Sequence, residues 1–256
     1  MTGSMIGWGQ RGRAAFWHGL VSVLVAAGAA LLVFGLWFPG DYRHMAGGVG
    51  LFVLVVGVDV VLGPLLTLVA FSPGKNRRQL IADVAVIATL QLAALAYGVY
   101  TVAQVRPVVL AAENGRFRVV AAQDVKADEV PRAPPGMAIG WGGPRLVGTR
   151  APESGDEQLD SILWAVRGFD VGTRPLFWQS YALSSDSVLS QAHALDRVFA
   201  GQLGRHAELD AAVRATGLQP EALRTLPVLA RQPNWYVLLD AQDASVCGFV
   251  RVAEAD

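Results

Sequence analysis

The sequence predicts three transmembrane α-helices followed by a soluble α+β domain, and three observations carry that prediction. Residues 14–38, 49–71 and 80–103 are almost wholly apolar, and Asp59 is the only charged residue near the middle of any of them. At roughly 1.5 Å per residue, each stretch is long enough to cross a hydrocarbon core of about 30 Å with some tilt. From Arg106 onward, charges of both signs, Gly and Pro return, as in an ordinary soluble domain. The whole-chain hydrophobic fraction of 53% and charged fraction of 16% are therefore averages over two unlike halves. The division that follows is a tail at 1–13, a membrane region at 14–103 and a domain at 104–256.

The first stretch continues apolar through residues 31–38, too long for the core of a cleavable signal, so an uncleaved first helix is expected. Arg11 and Arg13 precede it, and Lys75, Arg77 and Arg78 lie between the second and third stretches. The loop between the first and second carries Arg43 with Asp41 and His44. Basic residues collect on the cytoplasmic side, which places the N-terminus inside. The 39–48 loop and the C-terminal domain then lie outside, in the periplasm of a bacterial inner membrane. Trp37 and Phe38 at one end, and Phe16 and Trp17 at the other, suit aromatic belts facing membrane lipid.

The second stretch holds the chemistry of greatest interest. Asp59 is followed by Gly63-Pro64, which predicts an interruption or kink, because Pro64 cannot donate to the carbonyl of Val60. Counting inward from the shared loop puts Gln91 of the third stretch at the depth of Asp59, where its amide could donate. Intramembrane carboxylates are costly and commonly functional. Asp59, Gly63, Pro64 and Gln91 thus form a candidate latch or docking point for another membrane helix; the alternative is a contact that only fixes the bundle. A proton relay needs a chain of titratable groups, and Asp59 stands alone in this reading. Gly19, Gly28, Gly35, Gly57 and Gly63 allow close helix approach.

In the soluble half, residues 108–112 and 117–120 flank Asn114-Gly115, a hairpin signal. A Pro/Gly-rich loop spans 131–144. Residues 156–169 carry Leu159, Ile162, Leu163 and Val166 on one helical stripe, capped by Ser154 or Asp156. Further helices are expected at 186–200 and at 205–216, the latter closed by Gly217, with a short one from Pro220. A second hairpin, 235–240 with 246–252, ends the chain. Phe177, Trp178 and Tyr181 have the aromatic load of an interface, although a domain core explains them more simply.

No catalytic pattern is present: no G-x-S-x-G, Walker A, H-E-x-x-H or paired Cys/His set. Gly140-Trp-Gly-Gly143 lacks a phosphate-binding Lys, and His193 and His206 suit surface or core-edge positions. The 184–187 serines suit a helix cap. Cys247 is single, which excludes an internal disulfide and suits a buried thiol. Asp124, Asp128 and Glu129 form an acidic cluster that a solvated loop explains. Zero net charge without a basic cluster excludes nucleic acid as a partner. No cofactor is implied.

Asp59-Val-Val-Leu-Gly-Pro-Leu-Leu-Thr67, Lys75, Asp83, Gln91-Leu-Ala-Ala-Leu-Ala-Tyr-Gly98, Arg106-Pro107, Glu113 and Arg116-Phe117 together resemble the TfpX/TfpZ-type type IV pilin accessory proteins. The likeness covers about residues 36–120. It implies an inner-membrane protein, without chemistry of its own, that helps pilin subunits reach the pilus. Pilin is then the implied partner, with pilus assembly-platform proteins a further one. Two rivals stay open: a structural subunit of a membrane assembly, which would co-purify with machine components, and a periplasm-facing enzyme on a lipid-linked or cell-wall substrate, which would need reactive residues converging near the membrane.

Overall fold

The structure, a computed structural model, describes residues 3–70, 77–200 and 207–252. Lys75, His206 and the first residues of the helix expected at 205–216 lie outside the described residues. The chain forms two compact units that interleave along the sequence. The first comprises residues up to Leu36 with Gly48–Gln104, and the second Trp37–Gly47 with Val105 onward.

The first unit is helical. Helix α1 (Gly3–Ala30) continues as a π-helical segment, Leu31–Trp37. After a short α2 (Tyr42–Met45), which belongs to the second unit, come α3 (Gly48–Ala70) and α4 (Arg77–Val105). Three spans, Gly12–Trp37, Gly48–Ala70 and Arg78–Val105, are long and apolar enough to cross a membrane. Large side chains such as Leu24, Leu54, Leu65, Leu90 and Leu92 are exposed along them, as on the lipid-facing side of a bundle. Pro64 does not break the helix at Gly63-Pro64, because α3 runs on through it. Neighbouring contacts can hold a helix together around the hydrogen bond that proline forgoes.

Small residues set the approach of these helices, but not all of those expected to. A Cβ on Gly19 would stand 3.3 Å from Cγ of Pro64, and one on Gly98 would collide with Val55. A Cβ on Gly63 would collide with the Gln91 amide. Gly28, Gly35 and Gly57 face open space, so they take no part in close packing here.

The second unit is built on a mixed sheet. The Asn114-Gly115 turn, with Gly115 at φ +73°, joins β1 (Pro107–Glu113) to β2 (Arg116–Ala121) as predicted. Strand β3 (Arg145–Thr149) runs parallel to β1, and β4 (Trp178–Gln179) antiparallel to β3. On the other side, β6 (Leu223–Leu229) is parallel to β2 and leads an antiparallel meander with β7 (Trp235–Asp240) and β8 (Val246–Arg251). The order is β4-β3-β1-β2-β6-β7-β8, with the short β5 (His193–Ala194) also on β6.

Helices α5 (Gly155–Val166), α6 (Ser185–Gln191), α7 (Leu195–Val198) and α8 (Ala207–Thr216) accompany the sheet. Ser154 caps α5, its hydroxyl accepting from the Glu157 amide, and Gly217 at φ +73° follows α8. The single helix expected at 186–200 is instead α6, β5 and α7. Ala192 turns extended so that His193 and Ala194 pair with Thr225 and Arg224 of β6, and the ladder outweighs helical propensity. His193 is therefore an exposed strand residue. The 220 segment is a single 3-10 turn that passes directly into β6. Helix α5 points its stripe outward: Leu159, Ile162, Leu163 and Val166 are all exposed.

The connection between the first two spans is more than a turn. Trp37, Phe38, Met45 and Ala46 are buried, and Met45 lies in the core with Phe117, Val237 and Leu239. Tyr42 meets Phe249 edge-on at 5.5 Å, and the Gln232 amide donates to the Met45 carbonyl at 2.9 Å. Burial, and then the neighbouring Asp41, push the Tyr42 phenol above its ordinary value. Trp37 and Phe38 are thus core residues of the second unit rather than lipid-facing belt residues.

Candidate functional site

Helices α1, α3 and α4 enclose a cleft of about 180 Å³ within the first unit. Val21, Val25, Val56, Ala88, Leu92 and Leu95 give it apolar walls, and four polar side chains enter it: His18, Ser22, Asp59 and Gln91. His18 and Ser22 are four residues apart and share one face of α1. His18 Nδ1 lies 2.5 Å from the Thr67 hydroxyl, an anchor between α1 and α3. Thr67 itself is buried.

Gln91 does meet Asp59, but through the main chain. Its Nε2 donates to the Asp59 backbone oxygen at 3.1 Å and not to the carboxylate, and Asp59 is among the residues lining the cleft. That contact fixes the amide orientation, since only the NH2 end can donate to a carbonyl. Gln91 Oε1 is then buried without a hydrogen-bond partner among the described residues. Gly63 makes room for this amide, and Pro64 beside it receives Gly19. The four expected residues are therefore one neighbourhood of α3 and α4. Sequence reasoning missed His18 and Ser22; the signal was a lone imidazole in an otherwise apolar stretch, with a hydroxyl one turn later.

Of the two readings of the aromatic group, core and interaction surface, its burial fits the core. Phe177 and Trp178 are buried, and the Trp178 indole N–H donates to the Gly172 carbonyl at 2.8 Å. Tyr181 is partly buried, and its hydroxyl donates to the Ala244 carbonyl at 2.6 Å. Burial, and then Asp243, push the Tyr181 phenol up to about 12.

Charged residues of the second unit serve as ties. Glu113 accepts from Nε of Arg116 and of Arg118, each at 2.7 Å, and from the Gly172 amide at 3.1 Å. Both arginines also reach Asp170, so the hairpin end is fastened to the 170–173 turn. The acidic cluster expected in a solvated loop is partly interior. Glu129 is 1% exposed and accepts from Arg174 Nε and Nη2 at 2.9 and 2.7 Å. Lys126 stands 3.4 Å from Glu129, bonds Asp128 at 2.5 Å, and lies over the Trp164 ring. Cys247 is partly buried, with its Sγ 3.5 Å from the Ser245 carbonyl.

The sequence profile of the fimbrial assembly protein FimB family matches residues 6–47, the first helix and the buried connection after it. A fimbrial assembly protein of serogroup I from Dichelobacter nodosus is 32% identical over 226 residues, covering 87% of this chain and 88% of that protein. The serogroup E1 protein of the same organism is 31% identical over the same shares. A third, from serogroups C1 and C2, is 39% identical over 116 residues, 45% of this chain and 88% of its own length. No solved structure matches at a significant level.

Proposed function

The chain belongs to the family of fimbrial assembly proteins, and from that premise we propose that it is an inner-membrane accessory protein of type IV pilus biogenesis. Its C-terminal domain faces the periplasm, and its helical unit receives the membrane helix of a pilin subunit. The TfpX/TfpZ-type likeness supports the same assignment. The observation that carries it is the cleft, where the acidic residue Asp59 stands among apolar walls. Such groups are costly in a membrane unless a partner supplies a hydrogen-bond donor. A helix with a donor in its apolar span would satisfy the Asp59 carboxyl. Interhelical hydrogen bonds in membranes contribute about 0.6–2 kcal/mol each, weak enough to hold a subunit and then release it. The protein acts by holding, with no chemical step.

A photo-crosslinking residue in place of Leu92, on the cleft wall, tests this in cells. An adduct with the major pilin is the expected result, together with fewer surface pili in Asp59→Leu at unchanged membrane insertion. Adducts with assembly-platform proteins alone would establish the structural-subunit role. No protein adduct, or unchanged piliation in Asp59→Leu, would overturn the helix-receiving reading.

A further inference from the structure

Trp37 is the last residue of the first span, and Arg106 is the first residue after the third. Both therefore stand at the membrane–water boundary by connectivity. The indole of Trp37 is nevertheless buried, so it does not reach lipid. Arg106 covers it, with the guanidinium carbon 5.9 Å from the ring centroid. A second indole lies on the guanidinium as well: Trp141, with its centroid 5.4 Å away. Trp141 is 74% exposed, although it comes from a loop 35 positions further along the chain (141 against 106).

That loop is built to present one side chain. Met137 and Ile139 at its root pack on the cluster of Val108, Val120 and Trp178, which fixes where it emerges. Gly140, Gly142 and Gly143 then flank Trp141 with no side chains of their own. An exposed indole costs apolar surface in water, whereas the headgroup layer accepts its ring and its N–H together. Tyr97 and Tyr100, exposed on the last turns of α4, provide aromatic residues at the same end of the third span.

We propose that Trp141, stacked on Arg106, anchors the C-terminal domain in the phospholipid headgroup layer, with the 140–143 loop as an attachment to the membrane in addition to the spans. This rests on the reading that the three helices cross a bilayer, and the experiment separates the two. In a Cys247→Ser background, Gly143→Cys, Leu90→Cys and Gln242→Cys are each labelled with a nitroxide in the full chain, in phospholipid nanodiscs, so that Trp141 is kept. Collision with oxygen and with a water-soluble nickel chelate is then read by paramagnetic resonance. The oxygen-to-nickel ratio at 143 is expected to be several-fold above that at 242, in an exposed polar turn, and below that at 90, on the exposed face of α4, and to fall to that at 242 when Trp141→Ala is added. A ratio at 143 equal to that at 242 with Trp141 in place, with 90 deep, overturns the anchor alone. Low collision with both reagents at 143 means protein covers it, and overturns the anchor too. An aqueous ratio at 90 would instead sink the membrane-spanning reading.

Discussion

Replacing Arg174 with Met should be among the most damaging single changes in the C-terminal unit. Arg174 is 3% exposed and gives Glu129 two hydrogen bonds and Asp160 one, at 2.9 Å. Glu129 Oε2 already lacks a partner among the described residues. Without the guanidinium, the carboxylate keeps only Lys126 at 3.4 Å, while the half-exposed Asp160 can turn to water. Breaking a buried ion pair by removing one member costs about 3–5 kcal/mol, because the remaining charge stays desolvated. A domain of ordinary stability has about 5–15 kcal/mol in all, so Arg174→Met should lose roughly a fifth or more of it. Glu129→Leu combined with Arg174→Met removes both charges and should recover most of that loss. The assay is urea unfolding of the full chain in detergent, followed by tryptophan fluorescence. A loss below about 1 kcal/mol for the single variant, or no recovery in the double, would refute buried-charge desolvation as the cause.

Three further outcomes follow from particular contacts. Met45→Ala leaves a cavity between the inter-span connection and the β-domain and should cost about 2–5 kcal/mol in the same assay. Gly63→Val should lower the thermal midpoint in detergent by driving Gln91 off the Asp59 carbonyl, while Gly28→Val, facing open space, should leave it unchanged; equal effects would mean the close approach is not what matters. Hydrogen bonds from Arg150, then the backbone of Glu153, hold the Glu157 carboxyl down to about 2. A depressed folded value makes its contribution present above the unfolded value of about 4.3 and lost as pH falls from there toward 2. Glu157→Gln should therefore flatten the pH dependence of stability in that window, by a modest amount because the pair is partly solvated.

Much of the local structure was legible because it depends on near neighbours. Asn114-Gly115 specifies a tight turn and Gly217 a helix end by backbone freedom, and Ser154 marks a helix start through its hydroxyl. Strands β3 and β6 were not legible. Arg145–Thr149 is short, and Leu223–Leu229 contains Pro227, which argues against a strand in an isolated sequence. Each exists because a neighbouring strand pairs with it. The break at Ala192 has the same origin.

The sequence by itself determined the three long apolar helices, the change of character at Arg106 and the two hairpins, since composition and turn chemistry act over a few residues. Depth counting also paired Gln91 with Asp59, but only the packed helices showed the contact to be with the main chain, and only they brought His18 and Ser22 to the same cleft. Tertiary structure likewise decided that Trp37, Phe38 and Met45 leave the membrane region for the core of the second unit. It also turned Phe177 and Trp178 inward while sending Leu159 and Val166 outward. Which apolar residue is buried depends on what surface lies opposite it, and that is a property of the assembled elements rather than of any one segment.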